Sequence, residues 1–224
     1  MDVAHMPRHV VVLGAAGGAH LVYWHLQAAY PATRIACVCD DVADVTDVRM
    51  GDLVIPVIKD WDFSRLRREA DDPEAYRLFI VGSGDPKVKE MMVQKALAHG
   101  LEPAPTVVHP RACVMGNSTV GRGGLFSPGA VVANNATVGD YVHLAPHTLV
   151  GHDCQIGDYV SCNPGSQVLG YVTLGDGVSL GAGTIIRERL CIAPGVITGA
   201  QTYVSKDILE SGMTLVGIPA RKLR

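Results

Sequence analysis

The sequence lacks the features that would place the chain in several other classes of protein. No apolar run approaches the ~20 residues of a membrane-spanning helix, and the N-terminus does not follow the pattern of a secretory signal, so we expect neither. Aromatic residues make up only 5% of the chain, and the net charge of -3 argues against a nucleic-acid partner. The six cysteines form no C-x-x-C pair, and we expect reduced thiols and a cytoplasmic location.

Charged residues are also scarce, but only in one part of the chain. Residues 107–205 carry 9 charged side chains, whereas residues 1–106 carry 26. Residues 206–224 are again charged, with four basic and two acidic side chains. We therefore predict a first domain over 1–106, a different kind of domain over 107–205, and a C-terminal tail over 206–224. An apolar fraction of 48% excludes a disordered chain.

From residue 114 to residue 204, nearly every sixth position is apolar, and the frame never shifts. Fourteen of these 16 positions are Val, Ile, Leu or Phe. A six-residue period fits a short strand and a tight corner, and three such sides close a triangular coil of about 18 residues. The pattern predicts a parallel β-helix whose apolar residues point inwards, since the strands of a β-sandwich keep no constant frame over 16 repeats.

Residues 1–106 alternate between strand and helix patterns, which predicts a small Rossmann-like α/β unit with a parallel sheet. Gly14, Gly17 and Gly18 follow the first strand and open a helix, a context that suits a phosphate group. Asp40 and Asp41 end the second strand and could accept hydrogen bonds from a ribose or a base. The glycine spacing is not G-x-G-x-x-G, so a tight turn with a solvated acidic loop stays open as the alternative.

The candidate for chemistry in the repeat is His152, which the frame places at an outward-facing corner and which Asp153 and Cys154 follow. A neutral imidazole can accept a proton, and an adjacent carboxylate can fix its tautomer and raise its basicity. We therefore expect His152 to be functional.

The hexads resemble those of the left-handed β-helix acyltransferases, which are generally trimers with active sites between neighbouring helices. The stretch VGHDCQIGDYV at 150–160 is similar to the catalytic stretch of one branch, the bacterial sugar O- and N-acetyltransferases that act on sialic acid or nucleotide-linked amino-sugars. The resemblance extends to the aspartate pair at 40–41, the Val-His-Pro step at 108–110 and the Val-Gly-x-Pro-Ala-Arg tail at 216–221. It implies a homotrimeric acetyltransferase with acetyl-CoA as co-substrate, a nucleotide-linked sugar as substrate and no metal.

The resemblance also implies roles for particular residues. His152 would be the general base, Asp153 would orient its ring, and the backbone N–H of Gly170, one coil later, would bind the thioester oxygen. The remaining implied contacts are with acetyl-CoA, at Ala182, Ala200, Arg221 and Lys222; with the sugar nucleotide, at Gly14, Gly17, Gly18, Asp40 and Asp41; and with the acceptor, at His147 and Ser161. Ala145, Pro146 and Ser161 depart from the family pattern near His152, which leaves the acceptor, and the choice between amine and hydroxyl, open.

Two alternatives remain at this point. His147 and His152 have the H-x4-H spacing of γ-class carbonic anhydrases, zinc enzymes on the same β-helix, with His143 nearby. The departures around His152 also fit a trimeric sugar-nucleotide-binding scaffold that has lost catalysis.

Overall fold

The computed structural model describes residues 6–15, 17–41, 44–59, 61–63, 66–67 and 73–223. These residues divide into two compact units between Val107 and Val108. Within the described ranges, no helix has the length and apolar character needed to cross a bilayer. A short helix that the sequence predicts over 62–70 lies largely outside them.

The first unit contains a six-stranded sheet, and its fully described helices are two. Its strands are β1 (His9–Leu13), β2 (Arg34–Cys39), β3 (Asp47–Met50), β4 (Leu53–Ile58), β5 (Leu78–Val81) and β6 (Glu102–Pro103). Helix α1 spans Gly17–Ala29, helix α2 spans Pro86–Ala98, and a 3-10 turn covers Pro73–Tyr76. The strand order is β3-β4-β2-β1-β5-β6, and only the β3–β4 pair is antiparallel.

The local sequence explains these elements. The apolar runs of β1 and β5 are buried, as expected for central parallel strands that are covered on both faces. Helix α2 begins at Pro86 because Asp85 caps it: the carboxylate accepts hydrogen bonds from the amides of Lys87 and Val88 at 2.9 and 3.0 Å. The α/β prediction for this unit is thus confirmed.

The second unit is a three-faced coil of short, mostly parallel strands. The first face contains β7 (Val107–Val108), β10 (Leu125–Phe126), β13 (His143–Leu144), β16 (Ser161–Cys162), β19 (Ser179–Leu180), β22 (Ile197–Thr198), β24 (Thr214–Val216) and β25 (Arg221–Lys222). The second contains β8 (Cys113–Val114), β11 (Val131–Val132), β14 (Leu149–Val150), β17 (Gln167–Val168), β20 (Ile185–Ile186) and β23 (Tyr203–Val204). The third contains β9 (Thr119–Val120), β12 (Thr137–Val138), β15 (Gln155–Ile156), β18 (Thr173–Leu174) and β21 (Cys191–Ile192).

From β7 to β23 each strand pairs with the strand 18 residues away, so its side chains stack on their equivalents in the neighbouring coil. Val132, for example, aligns with Val114 on one side and with Val150 on the other. The apolar second residue of each strand points into the coil, where Phe126, Leu144 and Ile186 are at most 1% exposed. The six-residue pattern therefore produces the predicted β-helix with a continuous apolar core.

Each corner contains the residues two and three places after an inward-facing strand residue, called here the first and second corner residues. The backbone of the second corner residue is constrained. The second corner residue adopts a positive φ in coil after coil, with glycine at some positions and larger residues at others. The non-glycine examples in the coil are Asn135, Tyr141, His147, Asp153, Tyr159, Tyr171, Arg189 and Gln201, with φ between 55° and 62°. Asn and Asp tolerate this region better than other residues with side chains.

The C-terminal residues continue this architecture. Ile208 forms a parallel bridge with Ile192, β24 extends the first face next to β22, and β25 pairs antiparallel with β24. Leu215 is 2% exposed, so the apolar core reaches into the segment that the sequence predicted as a tail.

Candidate active site

The three edges of the coil differ in the residue type at the first corner position and in whether the backbone N–H of that residue is hydrogen-bonded. The proline edge has Pro110, Pro128, Pro146, Pro164, Ala182 and Ala200 at this position. The aspartate edge has Arg122, Asp140, Asp158, Asp176 and Pro194. The histidine edge has Gly116, Asn134, His152, Gly170 and Glu188.

On the other two edges most corner amides are absent or bonded. Proline has no N–H to satisfy. On the aspartate edge, the Oδ1 atom of each aspartate accepts a hydrogen bond from the corner amide one coil earlier, at 2.7 to 2.8 Å. On the histidine edge, by contrast, the amides of His152 and Gly170 donate no hydrogen bond to any part of the chain that the structure describes. These two donors are therefore available to a ligand.

His152 and Asp153 form a hydrogen-bonded pair at this edge. The distance from His152 Nδ1 to Asp153 Oδ2 is 2.8 Å, and the two side chains are 56% and 32% exposed. Hydrogen bonds from His152 and from Asn135 hold the pKa of Asp153 below its ordinary value. An ionised carboxylate can only accept, so the ring proton lies on Nδ1 and Nε2 is the basic nitrogen of the neutral ring.

Gly170 lies directly next to that basic nitrogen. A Cβ atom at Gly170 would come within 2.7 Å of His152 Nε2 and 2.8 Å of Cε1, so any larger residue would displace the ring. The absence of a side chain thus leaves room for the imidazole and keeps the Gly170 amide accessible. The structure brings together the three residues for which the sequence predicted catalytic roles.

Two neighbours of this pair escaped the sequence analysis. Asn135 Nδ2 donates to Asp153 Oδ1 at 3.1 Å, and the Tyr171 ring contacts the His152 ring edge to face at a centroid distance of 5.0 Å. The guanidinium of Arg189 lies 4.4 Å from the centre of the Tyr171 ring. The signal that could have found them is the coil length, since Asn135 and Tyr171 stand 18 residues before and after Asp153.

The residues expected to contact acetyl-CoA do not all lie at this edge. Ala182 and Ala200 belong to the proline edge, where they interrupt the column of prolines and restore free corner amides. Within one chain they are thus on a different edge from His152 and Gly170. Arg221 and Lys222 are exposed in β25, and Lys222 forms an ion pair with Glu210 at 3.0 Å.

The two possible acceptor contacts are also separate from His152. His147 is exposed on the proline edge, where its ring covers Gly129: a Cβ there would lie 2.6 Å from His147 Nδ1. Ser161 lies in β16 on the first face and is only 2% exposed, which leaves little of its surface for a sugar.

The first unit contains a cavity of about 230 Å³ at the glycine-rich turn. It is lined by Gly14, Ala15, Gly18, Asp40, Gly82, Ser83 and Met92. Asp40 is 9% exposed and accepts a hydrogen bond from the amide of Ala15 at 2.6 Å, so this carboxylate also holds the turn. Three of the predicted sugar-nucleotide residues, Gly14, Gly18 and Asp40, thus share one cavity.

The other two predicted residues do not line this cavity. Gly17 is exposed at the start of α1, and Asp41 forms an ion pair with Lys95. The sequence analysis assigned no role to Gly82, whose role follows from packing: a Cβ at Gly18 would lie 2.6 Å from the Gly82 carbonyl oxygen. The signal was the glycine directly after β5, at the edge where parallel strands end.

The zinc alternative finds no support in this geometry. His147 and His152 lie on different edges of the coil, and His143 lies in β13 with only 7% of its surface exposed. Over the described residues, no group of three or more His, Cys, Asp or Glu side chains could hold a metal ion.

The comparisons with known proteins come from solved structures, since no protein-family model and no curated protein matches the chain. A histidine-to-asparagine mutant of perosamine N-acetyltransferase from Caulobacter crescentus, in complex with CoA and GDP-perosamine, is 26% identical with a TM-score of 0.85. The alignment covers 99% of this chain and 100% of that one.

Two further structures extend the comparison. The acetyltransferase domain of PglB from Neisseria gonorrhoeae, in complex with acetyl coenzyme A, is 27% identical with a TM-score of 0.81 over 96% of this chain and 99% of that one. WeeI from Acinetobacter baumannii is 23% identical with a TM-score of 0.79 over 96% and 99%, and it supports the fold alone.

These similarities extend over both units, so they cover the α/β unit with its glycine-rich cavity as well as the coil with the His152–Asp153 pair. They confirm the family that the motifs predicted and with it the left-handed coiling of the helix. Over its whole length the chain is thus similar to nucleotide-amino-sugar acetyltransferases of the hexapeptide-repeat family, in which a small α/β domain is joined to a left-handed β-helix.

Proposed function

We propose that this protein transfers the acetyl group of acetyl-CoA to the amine of a nucleotide-linked amino-sugar. The observation that carries the proposal is the exposed His152–Asp153 pair, whose basic Nε2 atom lies next to Gly170 and its free amide. The similarity to a perosamine N-acetyltransferase in complex with CoA and GDP-perosamine favours an amine over a hydroxyl acceptor.

In the proposed reaction, the amine nitrogen attacks the thioester carbonyl while Nε2 of His152 takes a proton from it. Asp153 stabilises the positive charge that the ring then carries. The Gly170 amide donates a hydrogen bond to the oxyanion, a contribution that is large because the donor is oriented beforehand. When the carbon–sulfur bond breaks, the CoA thiolate leaves and receives the proton from His152, so the products are the N-acetyl sugar and CoA.

The CoA arm would lie along the free amides of Ala182 and Ala200, and the basic Arg221 and Lys222 would meet its phosphates. Because Ala182 and Ala200 are on a different edge from His152, a second copy of the chain must supply one of the two edges. This requirement supports the homotrimer implied by the family, with each active site between neighbouring helices.

We assign the nucleotide part of the acceptor to the cavity of the α/β unit. Gly14, Gly18 and Gly82 allow close approach of a ligand to the backbone, and the nearby N-terminus of α1 favours a negatively charged group. The other two predicted contacts, Gly17 and Asp41, lie beside this cavity. We place the reaction in the cytoplasm.

The test begins with binding. Purified protein is heated in the presence of CoA and one of several candidates: UDP-, GDP- and dTDP-linked amino-sugars and CMP-sialic acid. A ligand that binds the folded state raises the melting temperature by mass action. We expect one nucleotide-linked amino-sugar to give the largest shift.

The acetyl transfer itself is measured as release of the CoA thiol from acetyl-CoA with that sugar. Turnover with the amino-sugar, and none with its N-acetylated form, supports the proposal. If a sugar binds but acetyl-CoA is never consumed, the scaffold that has lost catalysis is the correct function.

A further inference from the structure

Two asparagines continue the His152–Asp153 pair into the earlier coils. Asn117, Asn135 and Asp153 occupy the second corner position of the histidine edge at intervals of 18 residues. The Asn117 side-chain amide donates to Asn135 Oδ1, and the backbone amide of Asn135 donates back to Asn117 Oδ1 at 3.3 Å. Asn135 Nδ2 then donates to Asp153 Oδ1 at 3.1 Å. The side chains form a ladder that spans two coil spacings, or about 10 Å.

The ladder has a direction. Because Asn135 Oδ1 accepts from Asn117, the NH2 group of Asn135 must face Asp153. Both carboxylate oxygens of Asp153 are then engaged, Oδ1 by Asn135 and Oδ2 by His152. The carboxylate cannot rotate without losing one of these hydrogen bonds.

The backbone supports the same arrangement. Asn135 and Asp153 both have a φ of 58°, which points the two side chains outwards at equivalent corners so that they can meet. On the other side of the pair, Tyr171 contacts the His152 ring, and Arg189 stacks on Tyr171. Tyr171 and Arg189 are thus the ionisable groups that face the pair from the later coils, and the two asparagines approach it from the earlier ones.

We propose that Asn135 is a positioning residue for acetyl transfer: it holds the Asp153 carboxylate in the orientation that keeps the proton on His152 Nδ1 and leaves Nε2 free to act as the base. Asn135 acts through Asp153 and touches neither the acetyl group nor the acceptor. This inference rests on the proposed function for its kinetic consequences, but the state of the ring can be measured without turnover.

The decisive variant is Asn135→Gly, because glycine accepts the positive φ and removes the side chain that bonds Asp153 and Asn117. We expect kcat to fall about 10-fold, the value of one lost hydrogen bond to a charged group, while both KM values stay the same. The acidic limb of the pH–rate profile should move to lower pH, because a carboxylate that is held less firmly stabilises the protonated ring less well.

The second variant, Asn135→Asp, reverses one of these effects. It adds a negative charge near the ring, which favours the protonated form, so the acidic limb should move to higher pH. A role confined to folding would not shift the two profiles in opposite directions. Asn134→Ala is the matched control, since it removes a neighbouring exposed amide that makes no hydrogen bond to the pair, and its kinetics should match the wild type.

The ring is observed directly by ¹⁵N NMR of histidine-labelled full-length protein, with the His152→Ala spectrum to assign the signal. We expect the Nδ1–H tautomer in the wild type and a mixture of tautomers in Asn135→Gly. An unchanged tautomer together with unchanged kcat would overturn the inference, as would pH profiles that shift the same way in both variants. If the wild type transfers no acetyl group, the proposed function fails, and the NMR result alone decides the role of Asn135.

Discussion

The histidine edge and the aspartate edge use the same residue type at neighbouring positions with different results. At the first corner position, Asp140, Asp158 and Asp176 each turn to the amide of the preceding coil and bond it. At the second corner position, Asp153 turns to the ring of His152 instead. A shift of one residue along the corner thus separates an aspartate that stabilises the stack from one that can support chemistry.

The backbone amides of the first corner residues differ between the two edges in the same way. On the aspartate edge the corner amides of Arg122, Asp140 and Asp158 are bonded within the chain, so these three are not available to a ligand. On the histidine edge, Gly170 brings no carboxylate to the corner amide of His152, and its own amide also makes no bond with the described residues. At the histidine edge the amides of His152 and Gly170 therefore stay available to a ligand, because no carboxylate of the next coil bonds them as it does at the aspartate edge.

The largest effect expected from breaking this contrast is that of His152→Ala. We expect kcat to fall at least ~100-fold, as is typical when a general base is removed. The melting temperature should change little, because the side chain is 56% exposed. CoA-thiol release and thermal unfolding measure the two quantities on the same preparation.

Asp158→Ala on the aspartate edge is the counterpart of that variant. It leaves the amide of Asp140 without its acceptor, so the free energy of unfolding should fall by about 1 kcal/mol, while kcat should stay at the wild-type value. A loss of turnover with the fold intact would mean that the aspartate edge also takes part in catalysis.

Adding a methyl group at each of the two edges tests the same contrast, with an effect on kcat below that of His152→Ala. Gly170→Ala places a Cβ against the exposed His152 ring, which can rotate away, so we expect a loss in kcat between about 10- and 100-fold from the misplaced base. Stability should be nearly unchanged, and kinetics together with urea unfolding would check both statements.

Gly157→Ala is the matched control near the aspartate edge. Its Cβ would lie 2.8 Å from the backbone nitrogen of Asp176 and 2.9 Å from the carbonyl carbon of Gly175, and neither atom can move away easily. We expect a loss of about 1–3 kcal/mol in stability from overpacking, without a specific loss in kcat. If Gly170→Ala were the less stable of the two and fully active, the space at Gly170 would have no link to His152.

The smallest effect concerns Tyr141, which stacks on Tyr159 at the aspartate edge and is 6% exposed. Burial, followed by the nearby Tyr159 and Asp140, raises the pKa of Tyr141 to about 12. In the unfolded chain this group ionises near pH 10. Its contribution to stability is therefore complete below pH 10 and is lost as the pH rises from about 10 to 12.

Tyr141→Phe removes this dependence. Urea unfolding at pH 8 and pH 11 should show a smaller loss of stability between the two pH values for the variant than for the wild type. Equal losses would indicate that Tyr141 ionises in the folded protein as readily as in the unfolded chain.

Much of the coil could be predicted from the sequence, because the six-residue period encodes both the strand and the corner. The position of His152 at an outward corner, and of Gly170 one coil later, followed from counting alone. Asn135 and Tyr171 could have been found by the same count, but nothing in their residue types marks them, since asparagine and tyrosine also occur at other corners of the coil.

Other parts of the site could not be read from the residue pattern. Asp40 looked like a free acceptor after β2, yet it bonds the amide of Ala15, a contact that depends on how the turn folds back over the sheet. Ser161 occupies an outward position of its hexad but is 2% exposed, because burial depends on what covers a face and not on the frame. The roles of Ala182, Ala200 and His147 remain predictions.

The sequence by itself determined the coil, its 18-residue register and the edge on which His152 lies, because a strict period leaves only one way to bury the apolar residue of every hexad. Only the tertiary structure decided where the polar side chains turn. Asp153 bonds His152 while Asp158 bonds a backbone amide, since the direction of each carboxylate depends on its corner φ and on the donors that the adjacent coil presents. The partner of each carboxylate thus separates the candidate catalytic edge from the edge whose aspartates bond the backbone.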